Sequence, residues 1–461
     1  MGRRYPHPYL HDSDKPERSD MTLPGMAGKM GEMDINDASL VIVAHPTRGL
    51  VDEKFHVAVL NLRPHQPITL HSVFQSEEND FWEAYGHYIS DAKGMVKADE
   101  TESLGGSFTG RDPMGLIWSM KPVPGSRTAL RFRKRDVQTP YVVHISVFDG
   151  HISSGFKEKS ALACTVMERW YMAPGVCRID IRQDGVQGTL FLPPGPGPFP
   201  GILDLWGGGG GLVEYRSALL ASHGYASLAL EYLFQKNTSE KSAVIGEEYF
   251  EAAFNILKNH PKVASERVGL FGLSFGTSVV LAMAANSTAI SPKCLVCVSG
   301  SHVFPVKESL SGVFAEMKTN LDKLKVDENN HLIWRNLILP IPTDPDKKVN
   351  VGNIRCPLLL IVGEDDQNWP APECAVDIEN MMKKAGNDHL LTKLSYPGTG
   401  HLIETPYSPH TRFSNFMLAD SREKVIVLWG GETKPHAYAQ EDSWRRILKF
   451  LERHLYQRSV L

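Results

Sequence analysis

Arg267-Val-Gly-Leu-Phe-Gly-Leu-Ser-Phe-Gly-Thr-Ser-Val-Val-Leu-Ala-Met-Ala-Ala285 is the stretch from which the fold is read. Its first part, Arg267–Leu273, is a short apolar strand. Its last part, Phe275–Asn286, is an Ala- and Val-rich helix. Between them, Gly272-Leu-Ser-Phe-Gly276 fits a sharp strand-to-helix turn that lifts a serine hydroxyl above the carboxyl end of a sheet, near the positive end of the following helix. Glycines on either side of Ser274 remove the Cβ atoms that would clash in so tight a turn.

Around this stretch, strands and helices alternate, which implies a parallel sheet covered by helices. Candidate strands are Gly201–Trp206, Tyr225–Tyr232, Lys293–Ser299, Pro357–Val362 and Leu391–Tyr396; candidate helices are 212–223, 246–259 and 437–455. The last helix puts Trp444, Ile447, Leu448, Leu451 and Leu455 on one face. The Pro-rich run 192–200 delivers the chain into the first long strand. Residues 302–355 exceed an ordinary connection and read as a cap over a binding site.

Upstream, from 38 to about 170, short alternating strands replace this rhythm: 55–60, 68–74, 130–133 and 141–148. Such spacing suggests a β-sandwich. Residues 1–37 are polar and aperiodic and read as a disordered leader. The organisation expected is therefore 1–37, 38–170 and 171–461.

An elbow serine needs an acid and then a histidine on later strand ends. After the strand at 357–362 comes Gly363-Glu-Asp-Asp366. Asp366 occupies the turn position that suits a triad acid, and Glu364 and Asp365 read as solvated turn charges or N–H acceptors. After the strand at 391–396 comes Pro397-Gly-Thr-Gly-His401, which places His401 to reach back to Ser274. In these roles His401 takes the serine proton and Asp366 holds the imidazole. The developing oxyanion would meet the Phe275 amide and a second donor from Trp206-Gly-Gly-Gly-Gly-Gly211, read here as Gly208.

The remaining features are plainer. The 461 residues include 49 basic and 53 acidic side chains, a formal net charge of −4, and no long basic stretch, which argues against a nucleic-acid partner. No apolar run is long enough to span a membrane, and no secretory signal precedes residue 38. The six cysteines read as reduced, and Cys294-Leu-Val-Cys297 as core thiols rather than a metal or redox pair. Arg131, Arg133, Lys134 and Arg135, the densest basic cluster, could meet the phosphates of a ligand, but a solvated strand edge is the favoured reading. No metal or organic cofactor is indicated.

Several stretches outside the elbow are more specific: Gly105-Gly-Ser-Phe-Thr-Gly-Arg-Asp-Pro-Met-Gly-Leu116, Lys134-Arg-Asp-Val137, Leu192-Pro-Pro-Gly-Pro-Gly-Pro-Phe-Pro-Gly201, Asp365-Asp-Gln-Asn-Trp369, Pro397-Gly-Thr-Gly-His401 and Trp429-Gly-Gly-Glu432. With them the chain, over roughly 40–455, resembles the type I acyl-coenzyme A thioesterases, which share their layout with the bile acid-CoA:amino acid N-acyltransferases. The resemblance implies an immunoglobulin-like domain joined to an α/β-hydrolase domain, a Ser274–His401–Asp366 triad, and hydrolysis of fatty acyl-CoA to free acid and CoA. The alternative it carries is N-acyl transfer to glycine or taurine. Members of that branch have cysteine in the elbow where this chain has Ser274, and a serine acyl-enzyme is an oxygen ester that water can discharge. The C-terminal Ser459-Val-Leu461 lacks the basic middle residue of a peroxisomal signal, so the cytosol is expected, with the peroxisome open.

Overall fold

In the centre of the fold lies an eight-stranded sheet, in the spatial order Cys177–Gln183, Val186–Leu192, Ala226–Glu231, Phe199–Leu205, Val263–Leu273, Leu295–Val298, Leu358–Gly363 and Leu391–Tyr396. The first two strands form an antiparallel hairpin, itself antiparallel to its neighbour; the other strands pair in parallel. This computed structural model describes residues 39–209, 211–233, 245–305, 309–417 and 423–456. The leader expected at 1–37 and the C-terminal Ser459-Val-Leu461 lie outside the described residues.

Parallel strands covered on both faces should be apolar throughout, and Leu358–Gly363 is buried at every position. Alternation divides the sheet's side chains between two cores. Ile202 and Phe271 join one, together with helix Tyr215–Ser222 and helix Thr433–Leu451; Leu203 and Leu270 join the other, with helices Glu247–Lys258, Phe275–Asn286 and Ala371–Ala385. Cys294 and Cys297 fall into different cores on opposite faces, so they cannot grip one ion between them. This is the sheet of the α/β-hydrolase fold, with a strand–elbow–helix at its middle.

The amino-terminal region forms two further sheets. One has six strands, in the order Arg48–Leu50, Ala163–Trp170, Tyr141–Asp149, Pro67–Gln75, Phe81–Ile89 and Lys121–Pro122; the other has Val41–His45, His56–Leu60 and Val96–Lys97. Their buried side chains, among them Val57, Ile68, Leu70 and Ile145, belong to the same core as Ile202 and Trp444. From Leu40 onward the chain accordingly makes one compact unit.

Two sequence expectations need correction here. Residues 130–133 are not a strand. The preceding Ala129 sits at φ 54°, off the extended conformation, and the carbonyls of Thr128 and Ala129 accept from Asn415 rather than from a neighbouring strand. Nor is the basic cluster a solvated edge. Lys134 is buried against Glu77 at 2.7 Å, and Arg131 is nearly enclosed against Glu404 at 2.5 Å. Only Arg135 of these three is exposed, facing Glu78.

Within 302–355, helix Leu310–Lys318 stacks Phe314 on Phe275, ring centroids 5.6 Å apart, while the short strands 325–326 and 332–333 join Phe413–Met417 and Lys424–Leu428 in a four-stranded sheet.

Candidate active site

Ser274 follows directly on the strand Val263–Leu273, in the left-handed region at φ 57°. A serine held there is strained, and the surrounding contacts enforce it. Its amide donates to the Val298 carbonyl at 2.8 Å, and Thr277 Oγ1 bridges the Gly272 carbonyl and the Val298 amide at 3.1 Å each. Gly276 has no room for a side chain, since a methyl group there would lie 2.3 Å from the Leu205 carbonyl oxygen.

Three side chains from three strand ends meet at this turn. Ser274 Oγ lies 2.8 Å from His401 Nε2, and His401 Nδ1 lies 2.8 Å from Asp366 Oδ2. All three residues are buried. The second oxygen of Asp366 accepts from the amides of Asn368 at 2.9 Å and Trp369 at 2.8 Å, which fixes the carboxylate's orientation. An ionised carboxylate accepting at Nδ1 makes that nitrogen the donor, leaving Nε2 free to accept the serine proton. The two neighbouring acids are engaged elsewhere: Glu364 accepts from Ser395 Oγ at 2.8 Å, and Asp365 accepts from the Gly431 amide at 2.7 Å and faces Arg412.

The His401 loop is braced from behind. The His401 amide donates to the Trp429 carbonyl, and the Trp429 ring lies parallel to the imidazole at 5.6 Å. His436 accepts from the Gly400 amide at Nδ1 and donates to the Leu402 carbonyl from Nε2. Burial, and then the proximity of the His410 and His401 imidazoles, pushes the His436 pKa down to about 3, so it is neutral here.

At the glycine loop, Gly207 passes closest to the serine; a methyl group on it would lie 2.8 Å from Ser274 Cβ. Gly208 faces open space. The strand end before the loop is anchored by the buried Arg216, which bonds Asp204 and stacks on Trp206 and Phe271. Phe275 supplies the first amide of its helix, one of the four without an intrahelical acceptor.

Trp369 is a site residue that the sequence reading did not single out. Its indole Nε1 donates to Ser274 Oγ at 3.1 Å, and its side chain is buried. The signal available was its place three residues after the acid, in a run already noted for its resemblance. Nothing local says that the ring turns toward the serine. Among the described residues, no group of three or more His, Cys, Asp or Glu is arranged to hold a metal, and no helix is long and apolar enough to cross a membrane.

Residues 52–183 match the acyl-CoA thioester hydrolase/BAAT N-terminal region, and residues 245–457 match the BAAT/acyl-CoA thioester hydrolase C-terminal region. The mouse protein named peroxisomal succinyl-coenzyme A thioesterase is 38% identical over 430 residues, covering 91% of this chain and 97% of that one. Human acyl-coenzyme A thioesterase 1 is 35% identical over 421 residues, again covering 91% and 97%. Among solved structures, a dienelactone hydrolase-like promiscuous phosphotriesterase from metagenomic libraries is similar with a TM-score of 0.38 at 16% identity, over 60% of this chain and 98% of that one. The likeness to the curated relatives spans nearly the whole of each protein, and on it the chain belongs to the acyl-CoA thioesterase/bile acid-CoA:amino acid N-acyltransferase family.

Proposed function

We propose that this protein hydrolyses fatty acyl-CoA thioesters through a serine acyl-enzyme. The observation that carries the reading is the unbroken hydrogen-bonded line from Ser274 Oγ through His401 to Asp366. Ser274 Oγ attacks the thioester carbonyl carbon while its proton passes to His401 Nε2. The carbonyl π pair moves to oxygen, where the Phe275 amide and an amide of the Gly207–Gly208 turn serve as donors. Collapse expels the CoA thiolate, which takes the proton from the imidazolium. Water, deprotonated by His401, then attacks the ester; Oγ leaves, is reprotonated by His401, and the free acid departs. Asp366 stays ionised throughout and stabilises the imidazolium.

In this reading residues 38–170 are an immunoglobulin-like module, residues 171–461 the catalytic module, and residues 302–355 its cap. The setting is the cytosol, with the peroxisome, where one named relative resides, as the alternative that cell fractionation distinguishes.

Thiol release from palmitoyl-CoA tests the activity. Turnover by the wild type that is abolished in Ser274→Ala supports it; unchanged turnover in that variant refutes it. Added glycine or taurine tests the chemistry, since conjugate outweighing free fatty acid would make the protein an acyltransferase.

A further inference from the structure

Among the basic side chains at 131–135, one is left without a matching charge. Arg131 is held by Glu404, Lys134 by Glu77 and Arg135 by Glu78. Among the described residues, no carboxylate lies within ion-pair distance of Arg133. The guanidinium points instead at the glycine loop: a methyl group on Gly209 would lie 3.8 Å from Arg133 Nη1. Two residues earlier in that loop, Gly207 touches Ser274. Consecutive Cα atoms are 3.8 Å apart, so the guanidinium stands on the order of 10 Å from the attacking oxygen.

Arg133 is carried there by the irregular segment that follows Thr128, whose backbone is tied to Asn415. Arg131, two residues earlier, packs over the Trp429 ring that stacks on His401. The situations of the two guanidiniums differ, however. Glu404 neutralises Arg131 directly and reaches Arg133 only at longer range. Burial, and then the like charge of Arg131, make the protonated form of Arg133 costly, and its pKa lies below the usual arginine value. Arg133 nevertheless keeps part of its surface open to solvent. A partly desolvated guanidinium without an ion-pair partner, beside the glycine loop that flanks Ser274, is a strong hydrogen-bond donor to carboxylate or phosphate oxygens, which it can grip with two parallel N–H bonds.

We propose that Arg133 is an anion receptor within the substrate site, binding an anionic group of the coenzyme A thioester. The proposal rests on the thioesterase reading and deepens it. Two parts of such a substrate carry this chemistry: a carboxylate at the far end of a dicarboxylyl group, and the phosphates of CoA.

Full-length wild type, Arg133→Gln and Arg133→Lys are compared on hexanoyl-CoA, adipyl-CoA and S-hexanoylpantetheine. The first two differ by the distal carboxylate, and the third lacks every phosphate. Removing a charged hydrogen-bond partner should lower kcat/KM about ten- to a hundredfold in Arg133→Gln, with Arg133→Lys recovering part of the loss. A loss confined to adipyl-CoA assigns the carboxylate; a loss on both CoA thioesters, with the pantetheine thioester spared, assigns the phosphates. An equal loss on all three substrates, or changes within twofold on all three, overturns the proposal. A shared thermal midpoint establishes that the variants fold alike. If the wild type hydrolyses none of the three, the thioesterase reading falls, and calorimetric binding of the same thioesters to wild type and Arg133→Gln then decides the receptor by itself: equal affinities overturn it.

Discussion

Trp369→Phe separates the two halves of the proposed cycle. The substitution keeps an aromatic ring at the position and removes the one N–H that Trp369 offers Ser274 Oγ at 3.1 Å. Before acylation, that oxygen is a hydroxyl and accepts the bond well. As it attacks, its lone pair goes into the new C–O bond and the indole contact weakens. The acyl-enzyme oxygen is an ester oxygen, a poor acceptor. When it leaves during deacylation it gains negative charge, and the contact strengthens. The indole therefore favours the second half of the cycle over the first. A hydrogen bond to a charged group contributes about 1.5–3 kcal/mol, against about 0.5–1.5 for a neutral one. A difference of about 1–2 kcal/mol amounts to roughly a 5- to 30-fold slowing of deacylation. Acylation should hold its rate or quicken. Stopped-flow thiol detection with palmitoyl-CoA reads both, since CoA appears on acylation and steady turnover follows deacylation. We expect a burst approaching one CoA per protein molecule and a depressed steady rate. A variant whose two steps slow equally, or whose burst matches the wild type with turnover within twofold, would refute this reasoning.

Other outcomes follow from neighbouring geometry. Gly207→Ala should cost at least tenfold in turnover, because its methyl group would press on Ser274 Cβ at 2.8 Å, whereas Gly208→Ala, facing open space, should stay within a few-fold. Thioester turnover compares the two, and equal effects would take the close approach out of the account. His401→Gln should lower turnover about as far as Ser274→Ala, as triad members act as a unit; a small effect would remove His401 from the role of base. His436 bears on acid stability. Burial holds its folded pKa at about 3, below the ordinary imidazole value of about 6.5, so the unfolded chain binds the extra proton between those values. Its contribution is complete above about pH 6.5 and is lost as pH falls toward 3, at up to about 1.4 kcal/mol per pH unit. His436→Asn should flatten the acid limb of a urea-midpoint profile by about one proton, and an unchanged slope would contradict the assignment.

The elbow was legible because its determinants are near neighbours. A strand, a serine between glycines and a helix within twenty residues leave the backbone few alternatives, and Phe275–Asn286 forms as read. The strand ends before Asp366 and His401 were legible for a related reason: each lies just past an apolar run that has to be buried, and the sheet collects those ends along one rim. Helix Ala371–Ala385 escaped the reading. So did the antiparallel hairpin 177–192 as part of the main sheet, since pairing between strands leaves little trace in either strand alone.

By itself, then, the order of residues determined that an alcohol, a carboxylate and an imidazole stand just past three parallel strands of one sheet, because local backbone geometry and apolar periodicity act over a few residues. Only the tertiary structure decided what surrounds them. Trp369 meets a serine 95 positions earlier, and Arg131 meets Glu404 at a separation of 273. The run 130–133 is not a strand, and the carbonyls just before it accept from Asn415. Contacts of that kind depend on which surfaces pack together, and packing is a property of the whole folded chain, fixed by shape and charge between segments that carry no mark of one another.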